Sequence, residues 1–189
     1  MEANAAQLLL MYFVFPAWVL AAFADYLCHR AAHIEETAGV KESCIHLLGI
    51  AEMALPVLAA LFLEINALVI ALMLVCLILH ELTTYWDVRY AYSTRDVAPI
   101  EQHIHNYLTL LPLLAFVLIL VLHWGQFQAL FGFGAETARF DVRWKEPPLA
   151  WPYVLTMLAL VAIADLLPFC EELWRGLRTR PGGSRSGTN

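Results

Sequence analysis

Charge is what this chain has least of. Asp, Glu, Lys and Arg make up 15% of its 189 residues while 61% are hydrophobic, and mean hydropathy is +0.65. Soluble domains carry about 25% charged and about 45–50% apolar residues, so the composition excludes an ordinary water-soluble domain and implies a membrane protein. No basic run and no interleaving of basic with aromatic residues occurs, which argues against nucleic acid as a partner. The net charge of −6 is spread along the chain rather than gathered in an acidic run. The four cysteines (Cys28, Cys44, Cys76 and Cys170) form no CxxC pair. They read as small hydrophobic side chains, and disulfides are not expected. No internal repeat is present.

What is there is a series of long apolar runs. A spanning helix needs about 20 mostly apolar residues, and five segments qualify: about Gln7–Cys28, Ser43–Leu63, Ala67–Tyr85 (continuing as helix to about Tyr90), Pro99–Trp124 and Leu149–Leu167. Pro56 predicts a kink in the second, Glu64-Ile65-Asn66 a tight turn after it, and Pro168 the end of the fifth. Ala22-Phe23-Ala24 matches a small-residue cleavage pattern, but Met1–Gln7 carries Glu2 and no Lys or Arg. The first segment therefore reads as a retained helix rather than a signal peptide. The expected fold class is all-α, a polytopic membrane bundle of about five transmembrane helices. One domain covers residues 1–180, and a Gly/Ser-rich tail over 181–189 is expected to be disordered.

The few polar residues in these runs are not scattered. Positions four apart on a helix differ by about 40° around the axis and about 6 Å along it, so Asp25, His29 and His33 form one stripe at the end of the first span. Glu42 and His46 open the second span, His80 and Asp87 close the third, and Glu101 and His105 open the fourth. In an up-down bundle those four ends share one membrane face. Ionisable groups inside a span cost about 2.5–3.5 kcal/mol each at mid-helix, so their recurrence asks for something that binds them. Four-helix bundles build dinuclear centres from inward carboxylates and a His one turn on. The expected ligands are Asp25, His29, His33, Glu42, His46, His80, Asp87, Glu101 and His105. Glu52, Glu81, Thr84 and His103 are candidates for the surrounding contacts, and Tyr26, Tyr85 or Tyr107 for supplying a proton or electron. Asp165, Glu171 and Glu172 end the fifth span on the cluster side; contacts that support the metal ligands are open to them, and ion pairs with Arg175 or Arg178 are the simpler reading. His123, Trp18, Trp86, Trp151 and Trp174 read as interface or packing residues.

Mixed imidazole and carboxylate donors suit Fe, Mn or Zn and not Cu(I), and their number exceeds the three or four that one Zn takes. Two metal ions, with iron first among the candidates, fit the count better; haem does not explain carboxylates on four helix ends. Eight of the Lys and Arg residues (Arg30, Lys41, Arg89, Arg95, Arg175, Arg178, Arg180 and Arg185) lie on the cluster side, against Arg139, Arg143 and Lys145 on the other. By the positive-inside rule the clusters are cytoplasmic, the N-terminus outside and the C-terminus inside.

His29-x-x-x-His33 in so hydrophobic a chain resembles the histidine-rich membrane di-iron oxidases, the fatty-acid hydroxylases and desaturases. The resemblance covers that one box; at the later helix ends the chain carries His80-Glu81 and Glu101-Gln102-His103-Ile104-His105. The run from Pro99 to Pro112 is also similar to small bacterial inner-membrane proteins, which implies a bacterial inner-membrane location. The di-iron resemblance implies O2-dependent oxidation of a lipid-like, hydrophobic substrate within the bilayer. The competing expectations are a zinc-dependent hydrolase similar to the membrane ceramidases, and a metal- or haem-binding protein without catalysis.

Overall fold

The computed structural model describes residues 5–179, and the expected tail lies outside them. Among the described residues the chain is an all-α bundle whose only strand-like feature is an isolated bridge between Leu63 and Trp144. Five helices are long and apolar enough to cross a membrane: α1 (Ala5–Ala31), α2 (Gly39–Phe62), α3 (Ala67–Thr94), α4 (Pro99–Leu122) and α6 (Trp151–Arg178). The short α5 (Trp124–Leu130) follows a break at His123. This is a multi-pass membrane protein by length and composition. Its outer surface agrees, since Leu20, Leu82, Val121, Leu155 and Ile163 all face outward. That apolar belt is stable only against lipid.

Helix α1 packs on α4, and α2 on both α3 and α6. One apolar core (Ile70, Val69, Met73, Leu77, Phe116) joins α2, α3 and α4 toward the face opposite the polar clusters; a smaller one (Ala22, Tyr26, Phe169) lies beside the clusters. The turn between α2 and α3 is the expected Glu64-Ile65-Asn66. Asn66 is fully buried, accepts from the Val69 N–H at 3.2 Å and donates to the Asp141 carbonyl at 2.7 Å. It thereby caps α3 and ties down the loop before α6. Asn66→Ala should cost about 1–3 kcal/mol, because the cap is lost and the carbonyl is stranded. Denaturant or thermal unfolding in detergent measures this.

Helix α2 runs through Pro56, inside the expected span. One boundary differs from expectation: the last span does not stop at Pro168 but continues to Arg178. A proline inside a helix removes one backbone hydrogen bond and crowds the carbonyl four residues back. Here the turn just before it, Ala162–Leu166, is π-helical, so the wider ladder accommodates the missing donor. The same pairing recurs in α1, where a π turn at Leu10–Val14 precedes Pro16. The extra turns beyond Pro168 carry Glu172 into the interior.

Candidate metal centre

Every span delivers polar side chains to one layer near the end of the bundle where α1 and α3 finish and α2 and α4 begin. Helix α1 supplies Asp25 and His29 from one face, four residues apart. Helix α2 supplies Glu42, Ser43 and His46, α3 supplies Asp87, and α4 supplies Glu101 and His105. Helix α6 adds Glu172. Asp25, His29, Glu42, Asp87, Glu101, His105 and Glu172 are all buried.

Their atoms converge. His29 Nε2 lies 3.5 Å from Asp25, 3.4 Å from Glu101 and 3.8 Å from Glu42, while its Nδ1 meets Glu172 at 3.1 Å. His46 bridges Asp87 (Nε2, 3.0 Å) and Glu172 (Nδ1, 3.3 Å). His105 bridges Asp87 (Nε2, 2.9 Å) and Asp25 (Nδ1, 3.2 Å). Ser43 donates its hydroxyl to Glu172 at 2.8 Å. Arg95, just past the end of α3, turns inward with its side chain 4% exposed and binds both Glu42 (2.6 Å) and Glu101. Burial works against its charge, but the hydrogen bonds to Glu101 and Glu42 outweigh this and raise its pKa above the ordinary arginine value.

The donor set fits a cation. Two groups of three offer one ligand atom each within 4.8 Å of one another: Asp25, His46 and His105, and His29, Glu42 and His46. Among the described residues, both oxygens of Asp25, Nε2 of His29 and Oδ1 of Asp87 are buried without a well-formed hydrogen bond, although His105 Nδ1 lies 3.2 Å and His29 Nε2 3.5 Å from Asp25. Buried polar atoms in native proteins are nearly always paired. Carboxylates and imidazoles facing one another across 3.4–3.8 Å are spaced for a shared ion rather than for a good hydrogen bond. Five buried carboxylates, those of Asp25, Glu42, Asp87, Glu101 and Glu172, face one guanidinium and three imidazoles; with the imidazoles neutral, as metal ligands must be, four negative charges are left for bound cations to balance. A haem fits less well, because the His29 and His46 rings stack with centroids 4.5 Å apart and leave no room between them for a porphyrin.

Not every expected residue arrives. His33 does not: α1 ends at Ala31, and His33 takes a left-handed φ of 49° as the chain reverses into the turn at Ile34–Glu36. Its side chain is 69% exposed and sits 3.5 Å from Glu35. The four-residue spacing held only while the helix lasted. His80 sits away from the layer, its Nδ1 3.9 Å from Glu52, which accepts from Thr83 at 2.9 Å. Seven residues put His80 about 10 Å from Asp87 along α3. Thr84 lines a cleft beside His46 and Asp87. Glu81 is half-buried, and His103 is exposed with its ring edge-on to Tyr107. Tyr85 and Tyr107 face outward, while Tyr26 is buried and bonded to Glu171 and Arg30.

Three members were misread from sequence. Glu172 was expected to pair with Arg175 or Arg178; instead Arg175 pairs with Glu35 and Glu171, and Glu172 turns inward. Arg95 was expected on the cluster side, where it lies, but not as the interior counter-charge. Ser43, three residues before His46, was not expected among the contacts of the layer. Comparison with protein-family models, with curated proteins and with solved structures finds no match to this chain.

Proposed function

We propose that this protein is an integral membrane metalloprotein with a dinuclear His/carboxylate centre near the cytoplasmic face of a bacterial inner membrane, its N-terminus outside. The observation that carries the reading is the excess of buried carboxylates over buried cations. A charge in that setting is tolerated only when it is paired or bound to metal, and two divalent ions would cancel the four uncompensated charges. Asp25, His46 and His105 would hold one ion and His29 and Glu42 the other, with His46 between them. Glu172 would accept from Nδ1 of His29 and of His46, and Asp87 from Nε2 of His105, fixing the ring orientations and leaving the other nitrogen of each ring for an ion, as carboxylates around ligating histidines commonly do. Iron is the first candidate metal, and it would supply O2-dependent oxidation of a lipid-like substrate. A cleft of apolar residues (Ala22, Ile45, Ile50, Phe169) leads from the bilayer interior to Asp25, His46 and His105, so a hydrophobic molecule could reach the layer while water is kept out. A zinc hydrolase is the second reading, favoured by the Ser43 hydroxyl held on Glu172 beside the centre.

Elemental analysis of the full chain purified from membranes tests this. About two metal ions per chain are expected, unchanged in His33→Ala and falling to about one in His29→Ala. Iron with substrate-dependent O2 uptake supports oxidation; zinc without it supports hydrolysis. No bound metal in freshly purified protein would end the proposal.

A further inference from the structure

The half of the bundle away from the metal layer contains a cavity of about 770 Å3, within the range of about 300–1,000 Å3 seen for small-molecule sites. Its walls are mostly apolar, with Leu10, Phe15, Pro56 and Phe116 among them. At Trp18, Met53 and Val57 it meets a narrower cleft of about 120 Å3, which shares those three side chains and ends on Asp25, His46, Asp87 and His105. Wide cavity and narrow cleft thus adjoin, with those three side chains between them, one on the far half of the bundle and the other at the metal layer.

The wide end is polar. His123, Arg139, Lys145, Glu64 and Glu146 line it. Arg139 is paired with Glu64 at 3.1 Å. Lys145 is half-buried and forms no ion pair among the described residues; its ammonium donates to the Ala60 carbonyl. Burial lowers the Lys145 pKa, and burial together with the nearby Lys145 charge lowers that of His123. A half-buried cation without an ion-pair partner is an unfinished interaction. His123 and His105 stand eighteen residues apart along α4, about 27 Å, close to the roughly 30 Å of the hydrocarbon core. Only a long chain can touch both ends, and between them it would pass Trp18, Met53 and Val57, which line both spaces.

We propose that cavity and cleft join past Trp18, Met53 and Val57 into the binding site of a single-chain amphiphile with an anionic headgroup, seated with its head at Lys145 and its chain end at the metal layer. The inference names the substrate class for the centre proposed above and rests on that reading for the chemistry alone; binding stands on the cavity. The orientation is specific, with the head at the face opposite the metals and the end of the chain offered to them.

A long-chain fatty acid with a photoreactive diazirine at its terminal carbon, added to the full-length protein in nanodiscs, tests the assignment. Adducts are expected on Trp18, Met53, Val57 or the cleft residues Ala22 and Ile50. Lys145→Glu should reduce them at least tenfold, and the neutral alcohol of the same length should label equally weakly. Val57→Trp should move the adducts up to Leu10, Phe15 or Phe116 without abolishing them, an outcome that a misfolded protein would not give. Adducts confined to lipid-facing Leu20, Ile78 or Leu155, or labelling indifferent to headgroup charge and to Lys145, would overturn the proposal. The labelling needs no metal. Cleft adducts in protein that elemental analysis finds metal-free would leave the binding site standing and remove the metal centre; full metal content with lipid-facing adducts would do the reverse.

Discussion

His46→Ala should take bound metal from about two ions per chain to less than one, the largest loss expected of any single histidine. His46 alone belongs to both groups of ligand atoms, with Asp25 and His105 on one side and His29 and Glu42 on the other. Losing a residue that only orients a ligand typically costs 10–100-fold in metal affinity; losing a shared ligand should exceed 100-fold at both positions. The fold should survive. Asp87 keeps the His105 ring at 2.9 Å, and Glu172 keeps His29 at 3.1 Å and the Ser43 hydroxyl at 2.8 Å. Metal content and a chelator titration, alongside circular dichroism, would measure this. His103→Ala is the control and should change nothing, because that ring lies outside the layer. A His46→Ala protein that still carries two ions would show that the histidine only packs between its carboxylates.

The sequence made the layer legible through chain order. Asp25 and His29 end one span, Glu42 and His46 begin the next, and the pattern repeats with Asp87, then Glu101 and His105. An up-down bundle can only put these ends at one face. What order could not give is where a helix stops. His33 fell out because α1 finishes two residues short of it, and a left-handed residue turns the chain away. Glu172 was missed for the opposite reason: Pro168 looked like a terminator, but the π turn before it lets α6 run on. Its place on a strongly amphipathic segment, four residues ahead of Gly176, was the available signal. A Cβ at Gly176 would lie 3.3 Å from the Val40 backbone nitrogen, so that face must press against the start of α2, and Glu172 one turn earlier must follow it inward. The inward turn of Arg95 was missed because a count of basic residues by side does not say where each side chain points. Two carboxylates in the first turns of α2 and α4, each favoured there by the helix dipole, draw the guanidinium in.

Arg95→Met should destabilise the metal-free protein by about 3–5 kcal/mol, the cost of removing one partner from a buried ion pair, and the metal-loaded protein by much less. The asymmetry follows from what Glu42 and Glu101 have left to pair with. Among the described residues, the guanidinium is in the absence of metal the only non-titrating positive charge they touch, and it also pins the end of α3 to the first turns of α2 and α4. His29, at 3.8 Å and 3.4 Å, can help only by taking up a proton. With a divalent ion on the His29 and Glu42 group, part of the same charge is supplied from the other side. Unfolding midpoints of the variant with and without chelator separate these cases. The chelator should lower stability far more in Arg95→Met than in the parent chain. Arg95→Lys should fall between, because an ammonium cannot serve two carboxylates with the forked geometry of a guanidinium. An equal loss with and without chelator would mean that Arg95 alone balances Glu42 and Glu101, and that no ion reaches that side of the layer.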